Sequence, residues 1–194
     1  MSERILILLL FALITLSGCD IFDTRQAEIP STPRVNLEPA TTPEIAVNNL
    51  SAAFREKNIQ AYISVFADSS NTGKNFSFTA SSGSELKYGG IFNEWGIQSE
   101  ERYYTNLSAA NGESGFLQMT ATDLQTISFG DSSYINMNYE ISVQNTGQSN
   151  ISGFSGGLQL KMIKDKNSLW RIFSVTDIKS SESLTWSDLK GINY

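Results

Sequence analysis

The sequence predicts an α+β fold, two or three N-terminal helices packed on a curved, mostly antiparallel sheet, preceded by a signal peptide and a disordered tether. Three observations predict it. An apolar run closed by small residues occupies residues 1–18. All four prolines, Pro30, Pro33, Pro39 and Pro43, fall in one stretch. From Gly115 onward, helix-period spacing of apolar residues gives way to strand-period alternation in long segments.

The leader comes first. Residues 5–16 are apolar apart from Thr15. In a helix they span about 18 Å at ~1.5 Å per residue. A bilayer core is roughly 30 Å thick, so the run is too short to span and fits the apolar region of an export signal. It ends in Leu16-Ser17-Gly18-Cys19, which resembles the lipobox of bacterial lipoproteins. That resemblance implies cleavage between Gly18 and Cys19, a diacylglyceryl group on the Cys19 thiol, and a further acyl chain, such as palmitate, on the new amino terminus. Two chains anchor stably where one is marginal. The expected location is therefore a bacterial cell membrane, with the domain outside the cytoplasm. Arg4 is nearly cancelled by Glu3, an unusual start for an export signal. Asp20 resembles the inner-membrane retention signal of enteric bacteria, and the choice between inner and outer membrane stays open.

Residues 19–43 read as a lipid-anchored linker, rich in proline, poor in aromatics and mixed in charge. Its 23 residues from 20 to 42 would reach about 70 Å if extended at ~3.1 Å each. The alternative is an arm packed on the domain.

Composition excludes several functions. The chain of 194 residues has no histidine, and Cys19 is its one cysteine. Nucleophilic catalysis through Ser-His-Asp or Cys-His is excluded, as are zinc sites of His and Cys. No catalytic residue, metal or cofactor is expected. The net charge is −6 and the 14 Lys and Arg are scattered, so nucleic acid, which needs concentrated positive charge, is not an expected partner.

Residues 44–194 form the expected domain. Thr42 can cap a helix, Pro43 suits its first position and Glu44 its first turn. Val47, Leu50 and Phe54 share a face, and the helix ends near Lys57. Asn58 caps a second helix carrying Ile59, Tyr62, Ile63 and Phe66. Residues 68–74 read as a polar loop and Phe76 and Phe78 as a short strand. A break follows at Gly89-Gly90, a helical turn over 91–95, and a third helix over 99–107. Four strands follow, at about 115–128, 133–145, 151–164 and 169–179, joined by turns. In the second, Ile135, Met137, Tyr139, Ile141 and Val143 alternate with Asn136, Asn138, Glu140 and Ser142, which predicts one dry face and one solvated face. Gly156-Gly157 reads as a bulge bending the sheet. A Ser-rich tail begins near residue 180.

This order, with the opening AVNNLSAAFREKNIQAYISVFAD and the closing strand LWRIFSVTDI, resembles the nuclear transport factor two-like superfamily of cystatin-like α+β cones. The resemblance covers about residues 44–179. It implies a cone-shaped sheet with a pocket at its open end, a non-catalytic role binding an apolar small molecule or a partner protein in the cell envelope, and a homodimer through the sheet as one arrangement. Members of the polyketide-cyclase-like or ketosteroid-isomerase-like type imply the alternative, an enzyme using carboxylate and Tyr chemistry on an apolar substrate. No segment matches their motifs closely enough to carry a catalytic residue over.

The candidates for a pocket or partner surface are Trp95, Glu101, Tyr103, Tyr104 and Trp186. Glu100 and Glu101 read as a solvated helix face beside two core tyrosines. Asp123 reads as outward on its strand. Trp95 and Trp170 belong in or near the core, and Trp186 to the cover of a pocket mouth or a sheet edge.

Overall fold

The computed structural model of the chain describes residues 37–145, 150 and 152–194. The expected signal peptide, the expected lipobox and most of the expected tether lie outside the described residues. The tether's last residues do not stand away from the domain: Trp170 N donates to Ala40 O, Asn49 pairs with the Glu38 backbone, and Leu37 and Ala40 join the core.

Helix α1 (Pro43–Glu56) starts where its caps dictate, with the Thr42 hydroxyl accepting from Ile45 N. It stops at Lys57, whose φ of 53° is left-handed. The Lys57 ammonium then reaches the carbonyls of Gly112 and Gly115, each at 2.6 Å, tying the end of α1 to the entry of the sheet. Helix α2 (Ile59–Ser64) is capped by Asn58. The expected polar loop after it contains a short helix, α3 (Ser69–Thr72), capped by Asp68. Strand β1 (Ser77–Thr79) precedes a short helix with no apolar period, α4 (Ser82–Lys87). Helix α5 (Ile97–Asn111) is longer than its spacing predicts.

Four long strands follow: β2 (Phe116–Phe129), β3 (Ser132–Gln144), β4 (Ser152–Lys164) and β5 (Trp170–Ile178). The five strands form a sheet in the order β1-β5-β4-β3-β2. The long strands pair antiparallel as a meander, and β1 lies parallel to β5. The inner face carries Leu117 and Met119 of β2, Ile135, Met137, Tyr139 and Ile141 of β3, Leu158 and Leu160 of β4, and Ile172 and Val175 of β5, all buried. Val47, Leu50 and Phe54 of α1 pack on it. Each such side chain contributes about 1.5–3 kcal/mol by leaving water.

Two sequence expectations need correction. Gly156 and Gly157 pair regularly with Tyr139 and Asn138. The sheet bends elsewhere, where register shifts between Thr122 and Gln125 around Asp123, whose φ is 55°, and beside Phe173 between Lys161 and Met162. Glycine is needed at 156 for a different reason, close approach: a Cβ there would lie 2.7 Å from Ile178 O and 3.0 Å from Tyr139 Oη. The Ser-rich tail is the second correction. It ends in helix α6 (Trp186–Asn193), closed at its start by a capping box between Thr185 and Asp188.

Candidate functional site

Helix α6 inserts its inner face into the cone. Trp186 and Lys190 are one helical turn apart and share that face, and both are completely buried. Such a lysine requires a partner, because an isolated buried charge is costly. The partner is Glu100 in the first turn of α5, itself buried, and Lys190 Nζ donates to Glu100 Oε1. Tyr62 Oη of α2 donates to the same oxygen at 2.6 Å, and Trp95 Nε1 donates to Oε2 at 2.7 Å. Around the ammonium stand four rings, with centroids at 4.2 Å for Tyr103, 4.4 Å for Trp186, 4.5 Å for Phe78 and 5.2 Å for Trp95. These are cation–π distances.

A second carboxylate lies nearby. Asp177 of β5 accepts from Tyr139 Oη at 2.8 Å through Oδ1, and from the Ser187 backbone N–H at 2.8 Å and the Ser187 hydroxyl through Oδ2. Tyr139 Oη in turn accepts from Trp186 N at 2.6 Å. The first amides of α6, which have no partner within the helix, therefore end on sheet side chains, and the carboxylate sits at the positive end of the helix. Trp186 Nε1 donates to Tyr103 Oη at 3.0 Å, joining the two clusters. At the rim, the hydroxyls of Ser81, Ser84 and Thr185 bond one another, and Lys87 pairs with Asp188 at 3.3 Å.

Burial dominates the electrostatics. It brings the Lys190 ammonium down to about 8, while Glu100 and Asp177 pull it up. It pushes the phenols of Tyr62, Tyr103 and Tyr139 well up, helped by the adjacent carboxylates. These tyrosines therefore stay neutral throughout the ordinary pH range, and Tyr62 and Tyr139 donate to the carboxylates. No acid or base in the clusters lacks an internal partner. Among the described residues no group of three His, Cys, Asp or Glu side chains could share a metal ion. A cleft of ≈ 380 Å³ opens along β1, lined by Phe76, Phe78, Phe92, Glu94 and Trp95.

Of the five candidates read from the sequence, the structure brings Trp95, Tyr103 and Trp186 together around Lys190. Tyr104 lies one layer away, stacked on Tyr62 with centroids 3.8 Å apart, and its hydroxyl donates to the carbonyls of Ala53 and Phe54. Glu101 is exposed. Its neighbour Glu100, expected on the solvated face with it, is the buried one, because the α5 face that carries Tyr103, Tyr104 and Leu107 also carries position 100. Lys190, Asp177, Tyr139 and Tyr62 were not among the candidates. Two signals point to them: tyrosines on otherwise apolar faces, whose hydroxyls need partners, and the Thr185…Asp188 capping pattern, which starts a helix with Trp186 and Lys190 on one side.

The outer face of the sheet is solvated along Asn136, Asn138, Glu140 and Ser142, and Asp123 points outward beside Asn138. It turns apolar at the end of the β2–β3 hairpin, where Ile127, Phe129 and Tyr134 are 55%, 69% and 43% exposed. Register places Ile127 opposite Tyr134.

No protein-family model matches the sequence, and no curated protein matches it either. Solved structures do match. A Planctomyces limnophilus protein superposes with a TM-score of 0.56 at 10% identity, covering 70% of this chain and 91% of that one. A nuclear transport factor 2-like superfamily protein from Salmonella enterica gives 0.52 at 13% identity, covering 71% and 87%. A ketosteroid isomerase-like protein from Erwinia carotovora gives 0.51 at 14% identity, covering 74% and 98%. At these identities the likeness is one of fold: this domain has the nuclear transport factor 2-like cone.

Proposed function

We propose that the chain is a bacterial lipoprotein, held at a cell membrane by acyl chains on Cys19, whose cone domain works by binding a partner protein of the cell envelope. One observation carries the choice of binding over catalysis. The interior of the cone, where this fold would hold a substrate, is filled by Trp186 and Lys190 of the chain's own last helix. Glu100 and Asp177, the carboxylates that could serve acid–base chemistry, already accept bonds from Lys190, Tyr62, Trp95, Tyr139 and Ser187. A filled cone leaves the exterior for recognition. The apolar end of the β2–β3 hairpin, Ile127, Phe129 and Tyr134, is the surface that supports a protein partner, since burying exposed aromatic area drives association. A second copy of the chain is the homotypic form of the same reading.

The alternative is an enzyme of the ketosteroid-isomerase-like type. The observation favouring it is the hydrogen-bonded Tyr139–Asp177 pair inside the cone, a carboxylate and phenol in one place.

The test uses the anchored chain in its own envelope, with a photo-crosslinking residue in place of Phe129 or, as a control on the polar stripe, Asn138. Expected is one discrete adduct from position 129 and none from 138, identified by mass spectrometry as an envelope protein or a second copy. A chain that is monomeric and gives no adduct from 129 is not a binding module of this kind. Acyl-peptide mass spectrometry of the same preparation checks the anchor, which Cys19→Ser should abolish.

A further inference from the structure

The environment of Lys190 has the composition of a receptor for an organic cation. Its ammonium is enclosed by four aromatic rings and one carboxylate. Three of the rings, Phe78, Trp95 and Tyr103, and the carboxylate of Glu100 come from β1, the segment before α5, and α5 itself. Only Trp186 belongs to the helix that carries the lysine. The carboxylate is oriented without the lysine, because Tyr62 holds one of its oxygens and Trp95 the other. The charges are also unequal. Glu100 and Asp177 are buried in the cone, whereas Lys190 is the single buried cation among the described residues, and Tyr139 and Ser187, which donate to Asp177, are neutral. Phe78 and Trp95 also line the ≈ 380 Å³ cleft along β1, so two walls of the box border an opening to solvent.

We infer that the cone contains a preformed binding site for a primary alkylammonium group, and that Lys190 is its tethered occupant. The ring faces and the carboxylate attract charge, which offsets part of the desolvation that burial imposes on an ammonium, and neither acts in that way on a neutral group of the same size. A compact ammonium with three donors suits the site, since one proton bonds Glu100 and the others face rings. In this arrangement α6 is a plug bearing the site's ligand. A free alkylammonium, or the lysine of another polypeptide, has the chemistry to take its place. The inference is independent of the binding role proposed for the outer surface.

Lys190→Ala in the full chain tests it, because that change removes three methylenes and an ammonium, the outline of n-propylammonium. The variant should melt roughly 10 °C below the parent, as expected when a buried pair loses one partner in a domain of this size. Millimolar n-propylammonium chloride should restore at least half of that loss, saturably, and shift the tryptophan fluorescence. Sodium chloride at equal ionic strength and neutral 1-propanol should not. The parent and Lys190→Met, whose boxes are filled, should not respond, and Glu100→Gln added to Lys190→Ala should abolish the rescue. Equal rescue by 1-propanol would reduce the site to an apolar void, and absence of rescue by the amine would remove it. If Lys190→Ala does not fold alone, refolding from urea decides: folded protein recovered with propylammonium only supports the site, and none recovered with any additive overturns it.

Discussion

Beneath α1, the sheet packs through Leu50, Phe54, Ile135, Leu160 and Ile172, aliphatic and aromatic side chains filling space. Beneath α6, the same sheet meets a lysine, two carboxylates and three hydrogen-bonded tyrosines, all equally shielded from water. The first region draws on the hydrophobic effect, which is non-directional and tolerates approximate shape. The second draws on paired charges, which repay their desolvation only when each polar atom has its partner. One fold thus carries a core that requires volume and a core that requires exact partners. Damage should follow different rules in each.

The largest effect is expected from Glu100→Ala. It takes from Lys190 its ion-pair partner, leaving only the more remote Asp177, and takes the acceptor from Tyr62 and Trp95, at about 3–5 kcal/mol. Removing both charges by Glu100→Gln with Lys190→Met should cost much less than that single change, and equilibrium urea unfolding of the three chains measures the difference. In the apolar region Leu160→Ala should cost about 2–5 kcal/mol through lost transfer and the cavity it leaves. There no second substitution restores the loss except one that refills the volume. If the double charge variant proves as unstable as Glu100→Ala, the distinction between the two regions fails.

Gly156→Ala should cost about 1–3 kcal/mol, since its methyl would meet Ile178 O and the Tyr139 ring and hydroxyl. Its damage should spread to α6, read as faster amide exchange at Trp186, whose N–H bonds that hydroxyl. The smallest effect is expected at the rim. Lys87 is 54% exposed where it meets Asp188, so solvent screens the pair and Lys87→Ala should leave the urea midpoint close to the parent's.

Titration sharpens the same comparison. The folded pKa of Lys190, about 8, lies below the ordinary 10.5. Between those limits the unfolded chain binds more protons, so stability should rise with pH. The buried tyrosines act oppositely. Tyr62, Tyr103, Tyr104 and Tyr139 all keep their protons above the ordinary tyrosine value of 10.0, while the unfolded chain loses them, so stability should fall beyond that point. A maximum between pH 8 and 10 is expected. Its rising limb should flatten in the Glu100→Gln, Lys190→Met chain, where Lys57, also held below its ordinary value by burial, still contributes, and should persist in full in Leu160→Ala.

The legible parts of the fold are those governed by local periodicity. Thr42, Pro43 and Lys57 bound α1, and Asn58 starts α2, because caps and left-handed ends act within a few residues. The alternation of Ile135 through Val143 sets the inner face of β3 because the pleat has period two. The bends were misplaced for a physical reason. A glycine pair signals either a bulge or a close approach, and the surrounding residues are the same in both cases. Only Tyr139 folding over position 156 selects the second.

The candidate site shows the limit most clearly. Trp95, Tyr103 and Trp186 could be named from the sequence as large aromatics with polar handles. That Glu100 rather than Glu101 turns inward depends on how α5 is rotated about its axis, which Tyr103, Tyr104 and Leu107 set only once the sheet is beneath them. Lys190 and Glu100 are 90 residues apart, and no spacing rule connects them. The amino acids specify short-range matters: the absence of histidine, the run Leu16-Ser17-Gly18-Cys19 with the chain's one cysteine, and the periods of helices and strands. Which charges meet inside the cone is a long-range matter. It arises when α6 closes on the sheet and water leaves, since only then does a carboxylate require the one cation within reach.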